Sequence, residues 1–190
     1  WISKMFMPGV TVTTTIEQNG APKRSFTNRL LRHTVKIVCY KCNNVWMSRL
    51  ETDVKPILSK MLFDLNYAAS LTEAEQNILA FWAQKTVLIL GASTRPDYTI
   101  PRQFYESLYT RQSPIAEISV RLGWRIPKQD EYGRHFSHFT ISEVTGLNRT
   151  EMVKQVGEFE IWRAILVIGN VVFHVNGATP NIRVEVDNVD

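Results

Sequence analysis

The chain has 190 residues, of which 44% are hydrophobic and 21% charged, values ordinary for a globular protein with a hydrophobic core. Its longest apolar run, residues 165–168, is far shorter than the roughly 20 residues that span a bilayer, and the first residues lack the apolar segment of a signal peptide. We therefore expect a cytoplasmic protein that does not enter the membrane.

The net charge of +4 is unevenly distributed along the chain. Residues 1–60 carry ten basic and three acidic side chains, a net +7, whereas residues 61–190 carry 12 basic and 15 acidic side chains, a net −3. A basic segment joined to an acidic remainder is typical of a protein that faces a polyanion. An ordinary solvated basic surface gives the same pattern, so the charge favours nucleic acid without establishing it.

The first predicted elements are two short strands. Residues 10–16 alternate and are rich in β-branched side chains, which predicts a strand, and Asn19-Gly20 predicts a turn after it. Residues 23–32 are basic and are predicted to be irregular. Residues 34–38 predict a second strand that leads directly into a pair of cysteines.

A helix is predicted after Cys42, because apolar residues recur at steps of three and four. Pro56 lacks an amide proton, which predicts a kink or a restart near Val54. The predicted buried face comprises Trp46, Met47, Leu50, Val54, Ile57, Leu58 and Met61.

Two further helices follow. Thr72 and Glu75 form the capping box of one helix, for which Gly91 predicts a stop after Leu90. Pro101 opens a third and shorter helix. Trp46, Trp82 and Trp124 lie on apolar stripes and are predicted to be core residues and not base-stacking platforms.

From residue 115 onward the hydrophobic period is two, which predicts strands. Residues 116–124 and 136–142 predict one strand each, Gly169-Asn170 predicts a hairpin turn within residues 165–175, and residues 182–186 predict a last strand. The expected fold class is α+β: an N-terminal β-hairpin with a zinc knuckle and helices that pack on a C-terminal antiparallel sheet. We expect two domains, residues 1–66 and 67–190.

Cys39 and Cys42 form a C-x-x-C motif between the predicted strand and the predicted helix. Such a turn directs two thiolates and several backbone amides at one point, and the positive N-terminus of the following helix further stabilises the thiolates. The order of strand, C-x-x-C turn and helix therefore predicts a zinc knuckle. Asn43 can cap the helix. The alternatives are a redox pair, which is typical of a βαβ context, and an inert pair.

The stretch VKIVCYKCNNVWMSRLE, from about residue 34 to residue 51, resembles the second half of the treble-clef zinc finger of HNH-type endonucleases of bacteria and phages. In that family a first C-x-x-C and a histidine-bearing strand lie upstream. The resemblance implies a structural zinc ion on Cys39 and Cys42, a catalytic divalent metal, and Asn43 or Asn44 at the last motif position.

The catalytic histidine that the resemblance implies is expected upstream of this chain. Trp1-Ile2 is similar to the segment that follows Glu-His-Pro in bacterial HNH-like proteins, and no Asp-His, His-His or Glu-His pair occurs in the 190 residues. HNH cleavage needs a histidine to deprotonate the attacking water and a metal to stabilise charge on the phosphate. These 190 residues alone are therefore expected to be inactive as a nuclease.

The second pair of zinc ligands is not evident from the sequence. His135 and His138 could complete a Cys2His2 site, but residues three apart on a strand point to opposite faces. His33 is expected to be exposed or to contact phosphate, and His174 to lie at the surface of the sheet.

The sequence is compatible with three functions. The first is a zinc-binding, HNH-like nucleic-acid-binding protein, an endonuclease when its N-terminal segment is present, with DNA favoured over RNA and an oligomer possible. The second is a non-catalytic module that binds a protein or DNA, and the third is a small-molecule sensor or enzyme with a pocket between helices and sheet. The predicted nucleic-acid face comprises Arg24, Arg29, Arg32, Lys36 and Lys41.

Overall fold

The computed structural model describes residues 12–18, 21–28, 37–64, 70–94, 100–126, 137–143 and 161–178, the first two of these and 137–143 as backbone only. The chain divides into two compact units, residues 1–37 and 38–190. The cysteine pair thus belongs to the larger unit. That residues 1–66 form a region of their own stays a prediction.

The smaller unit contains an antiparallel pair, β1 (Val12–Gln18) and β2 (Ala21–Asn28), with one irregularity between Ile16 and Glu17. This confirms the first predicted strand, whereas the predicted turn at 19–20 lies outside the described residues. The irregular structure predicted from residue 23 is wrong as far as Asn28. The pairing of β1 with β2 is made by backbone N–H and C=O groups. Basic side chains therefore do not prevent residues 21–28 from forming a strand.

The described part of the larger unit contains four helices: α1 (Tyr40–Asn44), α2 (Trp46–Phe63), α3 (Glu73–Thr94) and α4 (Arg102–Arg111). Ile37 and Val38, predicted to end a strand, form a turn and a bend before α1. Residues 34–36 of that predicted strand are among those not described. All seven residues of the predicted apolar face of α2 are buried.

Pro56 does not divide α2, which runs without interruption from Trp46 to Phe63, so the predicted restart is wrong. The proline lies on the exposed side of the helix, where water can satisfy the carbonyl that loses its amide partner. Val54, Ile57 and Leu58 are buried around it. Their packing outweighs one missing hydrogen bond.

The capping box of α3 is confirmed. The Thr72 backbone N–H donates to Glu75 Oε2 at 2.9 Å, and the Glu75 N–H donates to Thr72 Oγ1 at 3.3 Å. The stop predicted at Gly91 is wrong, because α3 continues to Thr94. Gly91 is buried, and a glycine inside a helix costs only about 1 kcal/mol relative to alanine, which packing can override.

The C-terminal sheet has the strand order β3-β6-β5-β4 and is antiparallel throughout. Its strands are β3 (Ile118–Trp124), β4 (Ser137–Glu143), β5 (Ile161–Ile168) and β6 (Val171–Ala178). Gly169, at φ +58°, makes the predicted hairpin turn between Ile168 and Val171. Residues 182–186 lie beyond the described chain. The α+β class with an antiparallel sheet is confirmed.

Helix α3 is the central element of the larger unit. It contacts α2 on one side and strands β3, β5 and β6 on the other, and its residues 81–85 are all buried. Trp82 meets Phe173 of β6 edge-on, with ring centroids 5.6 Å apart, and Phe104 of α4 meets Trp162 of β5 at 6.0 Å. The core therefore lies where α3 crosses the sheet.

Two of the three tryptophans predicted to be core residues are buried, Trp46 and Trp82. The third prediction is wrong, because Trp124 is 38% exposed. The apolar side of β3 is buried at Ile118 but exposed at Leu122 and Trp124. Among the described strands, β3 lies at the edge of the sheet with only β6 beside it, so its far end is less covered than the central strands.

Candidate metal centre

The C-x-x-C motif forms the first turn of α1. Cys39 has an extended backbone (φ −65°, ψ 151°) and caps the helix, because its sulfur accepts a hydrogen bond from the Cys42 backbone N–H at 3.1 Å. The Asn43 N–H donates to the Cys39 carbonyl at 3.0 Å. A backbone N–H directed at a sulfur stabilises the thiolate form that metal binding requires.

Asn43 does not cap the following helix, contrary to the prediction. Helix α2 begins after Val45 without any side-chain cap, and the cap of α1 is Cys39 itself. The Asn44 side chain donates from Nδ2 to the Tyr40 carbonyl at 2.9 Å, a hydrogen bond within α1. Assignment of either asparagine to a catalytic position stays a prediction of the family resemblance.

The two sulfurs lie 2.7 Å apart, and both cysteines are free. In a tetrahedral site with zinc–sulfur bonds of about 2.3 Å, two thiolates are roughly 3.8 Å apart. Metal binding would therefore require the sulfurs to separate. Because Cys39 is exposed and Cys42 half-buried, rotation of the side chains can provide this change. After that separation the two cysteines can supply two of the four ligands of a zinc site.

The two thiols differ in acidity. The pKa of Cys39 is lowered, first by the hydrogen bond with the Cys42 side chain and then by the Cys42 backbone N–H, with a smaller effect of Lys41. The pKa of Cys42 is raised, first by Cys39 and then by burial, while the Trp46 side chain acts in the opposite direction. Cys39 is thus the thiol that ionises first.

No group of three or more potential metal ligands occurs among the described residues. His174 is exposed on β6, opposite Arg121 of β3, as predicted for a surface position. His138 lies in β4 opposite Val167, with only its backbone described. Since His33 and His135 lie outside the described residues, the Cys2His2 closure stays a prediction.

The predicted basic face is described only in part. Arg24 lies in β2 opposite Ile16, and Lys41 is exposed in α1, between the two cysteines. Arg29, Arg32 and Lys36 fall outside the described residues. Lys41 places one cation beside the thiols, and the remainder of the face stays a prediction.

Exposed apolar residues lie close to the cysteine pair in sequence, a feature that sequence periodicity did not indicate. Ile37, Tyr40 and Val45 are 49%, 85% and 44% exposed. They lie just before, within and just after α1. Because short irregular segments have no hydrophobic period, their burial could not be predicted from spacing. These three residues are called the apolar rim below.

A groove of about 320 Å³ lies beside the first turns of α2. Trp46, Leu50 and Phe81 contribute apolar walls, and Arg49 and Asp53 lie at its polar side. It is formed by α2, α3 and residues 112–114. The third functional hypothesis placed a pocket between the helices and the sheet, whereas this groove lies between two helices and the connection to β3.

Comparisons with models of protein families, with curated proteins and with solved structures find no match to this chain. Among the described helices, none is long and apolar enough to cross a membrane.

Proposed function

We propose that this protein binds zinc through Cys39 and Cys42 and binds nucleic acid, preferably DNA, as an HNH-like protein. Together with an upstream segment that supplies a histidine, it would act as a metal-dependent endonuclease. The observation that supports the zinc ion is the capped C-x-x-C turn, in which a backbone N–H donates to the Cys39 sulfur and both thiols are accessible. Thiolates in such a turn are typical zinc ligands.

The zinc ion would have a structural role. Helix α1 has only five residues and contributes no buried side chain, so it has little packing energy of its own. Isolated helices of this length are marginal in water. A metal held by Cys39 and Cys42 would fix the helix by coordination, as in small metal-stabilised domains.

Nucleic acid is supported by charge. The net +7 of residues 1–60 includes Lys41 between the two thiol ligands, where it is exposed. Contacts of Lys and Arg with phosphates release counterions and dominate nucleic-acid affinity. A basic segment around a metal-stabilised turn is therefore suited to the phosphate backbone.

Metal analysis tests the zinc site. The full-length gene product should contain about one zinc per chain, as one four-ligand site requires. Cys39→Ser with Cys42→Ser should lose it. His174→Asn, a change of a potential ligand on the exposed side of β6, is the matched control and should retain it. Unchanged zinc content in the double cysteine variant would rule out the site.

Binding and cleavage are tested with the same protein. Affinity for duplex DNA should fall steeply between 50 and 200 mM salt, and Arg29→Glu with Arg32→Glu should weaken binding to many sequences alike, because phosphate contacts carry no sequence information. RNA duplexes measured in parallel separate the two nucleic acids. Cleavage of DNA that depends on added Mg²⁺ or Mn²⁺ would support the endonuclease; binding without cleavage would leave a non-catalytic protein.

The apolar rim favours a second candidate, a non-catalytic module in which zinc only stabilises the fold. Ile37, Tyr40 and Val45 expose apolar surface next to the metal site, and such surface is common at protein interfaces. In this case the protein should show no salt-dependent affinity for nucleic acid. Tyr40→Ser should then weaken association with the protein partner while the zinc content stays unchanged.

A further inference from the structure

The two sulfurs of the C-x-x-C motif lie closer together than two ligands of one metal ion. They are 2.7 Å apart, and both cysteines are free. A disulfide bond is about 2.05 Å long, so the sulfurs need to approach by roughly 0.7 Å to form one. To share a zinc ion, by contrast, they must separate by about 1.1 Å. The reduced pair is thus nearer to a disulfide than to a metal-bound geometry.

The two thiols also differ in access. Cys39 is exposed and Cys42 is half-buried, so a molecule in solution reaches the Cys39 sulfur more easily. Access is one of the factors that set the rate of thiol–disulfide exchange. Helix α1 contributes no buried side chain, and a small rotation of either cysteine therefore disturbs no packed core. One thiol is placed to react with an external disulfide and the other to react with the product.

We propose that Cys39 and Cys42 form a reversible intramolecular disulfide by exchange with a small-molecule disulfide of the glutathione type. The disulfide itself does not require the zinc site. Its regulatory consequence rests on the proposed function: zinc binds thiolates, so oxidation of the pair removes two ligands and releases the metal. Thiol oxidation of this kind is a known way to switch a protein between two states.

The exchange has two steps. The Cys39 thiolate attacks one sulfur of oxidised glutathione, which forms a mixed disulfide, breaks the glutathione disulfide and releases one glutathione thiolate. The Cys42 thiolate then attacks the Cys39 sulfur, which closes the protein disulfide and releases the second glutathione. The two protein thiols lose two electrons and two protons, and the two glutathione thiols gain them. The second step is intramolecular and therefore strongly favoured by proximity.

The surroundings of the motif favour a switch over a redox enzyme. A thioredoxin-like enzyme carries the C-x-x-C motif in a βαβ context. Here Ile37 and Val38 form a turn and a bend before α1, so no strand leads into the motif. We therefore assign the disulfide to regulation of this protein and not to oxidation of a protein substrate.

The sequence offers a direct readout of the disulfide. Lys36, Lys41 and Arg49 are trypsin sites, so digestion gives residues 37–41 and 42–49 as separate peptides with one cysteine each. A disulfide between Cys39 and Cys42 joins the two peptides into one species, lighter than their sum by two hydrogen atoms. Mass spectrometry after iodoacetamide has blocked the remaining thiols distinguishes the joined, reduced and glutathione-bearing forms.

The test uses the metal-free, full-length gene product with excess oxidised glutathione. The wild type should give the joined peptides, and dithiothreitol should separate them again. Cys42→Ser should keep one glutathione on residues 37–41, because the second thiol is missing. Cys39→Ser should acquire glutathione on residues 42–49 more slowly. A wild type that keeps a glutathione adduct, stays reduced or forms a covalent dimer through these cysteines would overturn the proposal.

The contribution of the fold is measured separately. Because the native turn holds the sulfurs together, the equilibrium constant for oxidation by glutathione should be at least about tenfold larger in native protein than in urea-unfolded protein. Equal constants would show that the sequence spacing alone closes the disulfide, and would overturn the assignment to this structure.

Zinc release tests the regulatory consequence. In zinc-loaded wild type, oxidised glutathione should transfer zinc to a chromophoric chelator in step with the joining of the two peptides. Zinc that stays bound to the oxidised protein would overturn the switch. If the wild type binds no zinc at all, the proposed function is wrong, whereas the peptide assay on the same protein still decides whether the disulfide forms.

Discussion

Glu51 of α2 and Lys85 of α3 form an ion pair inside the larger unit, where their side chains are 25% and 7% exposed. The same carboxylate oxygen of Glu51 also accepts a hydrogen bond from the Trp82 indole at 3.1 Å. The Lys85 ammonium and the Trp82 indole of α3 thus both contact one carboxylate oxygen of Glu51 in α2. This contact fixes the register of the two helices, and with it the stack of Trp46 on Phe81.

Removing one member of this pair should strongly destabilise the protein. Glu51→Ala leaves the Lys85 ammonium buried without its carboxylate, which typically costs about 3–5 kcal/mol of unfolding free energy. The control is Glu106→Ala, which breaks the exposed pair between Arg102 and Glu106 on α4 and should cost about 0–1 kcal/mol. Urea unfolding measures both. Similar losses in the two variants would contradict the role assigned to the buried pair.

Gln84 ties α3 to the connection before β3. Its side-chain N–H groups donate to the carbonyls of Ile115 at 3.1 Å and Ile118 at 2.7 Å, and its oxygen accepts from the Ile115 N–H at 2.7 Å. Gln84→Leu keeps the side-chain size but removes these partners inside the core, so we expect a loss of about 2–4 kcal/mol. Gln103→Leu, at an exposed position of α4, should be close to neutral. A tolerated Gln84→Leu in thermal unfolding would refute this account.

Gly177 is required by a close approach within the sheet. It pairs with Trp162 across β5 and β6, and an added Cβ would overlap the Trp162 ring. Gly177→Ala should therefore cost about 1–3 kcal/mol through overpacking. At Gly123 of β3 the nearest atom to an added Cβ is 4.0 Å away, so Gly123→Ala should cost less than Gly177→Ala. Urea unfolding of both variants tests this account: the unfolding midpoint of Gly177→Ala should be lower than that of Gly123→Ala, and the reverse order would contradict it.

Much of the fold followed from local patterns. The face of α2, the capping box of Thr72 with Glu75 and the turn at Gly169 were predictable because each depends on residues close in sequence. The helix restart predicted at Pro56 and the helix end predicted at Gly91 were both wrong. Both are unfavourable in an isolated helix, but tertiary packing held the helix together at each position.

The features that long-range contacts determine could not be predicted. Periodicity placed Trp124 on an apolar face, but not at the exposed end of an edge strand, since strand order is not a local property. The C-x-x-C motif was visible in the sequence, whereas the capping role of Cys39 depends on where α1 begins. Spacing identifies a motif better than it identifies the residues that its side chains contact.

The unequal acidity of the two thiols gives a final prediction, made for metal-free protein in a chelating buffer. The pKa of Cys39 is lowered and that of Cys42 raised, each mainly by the hydrogen bond with the other. Because the thiolate is the nucleophile, iodoacetamide should alkylate Cys39 at lower pH than Cys42. In Cys39→Ser the main cause of the raised pKa is gone, so Cys42 should react at lower pH than in the wild type. Peptide mapping by mass spectrometry across pH 6 to 10 measures both rates, and faster alkylation of Cys42 in the wild type would reverse the assignment.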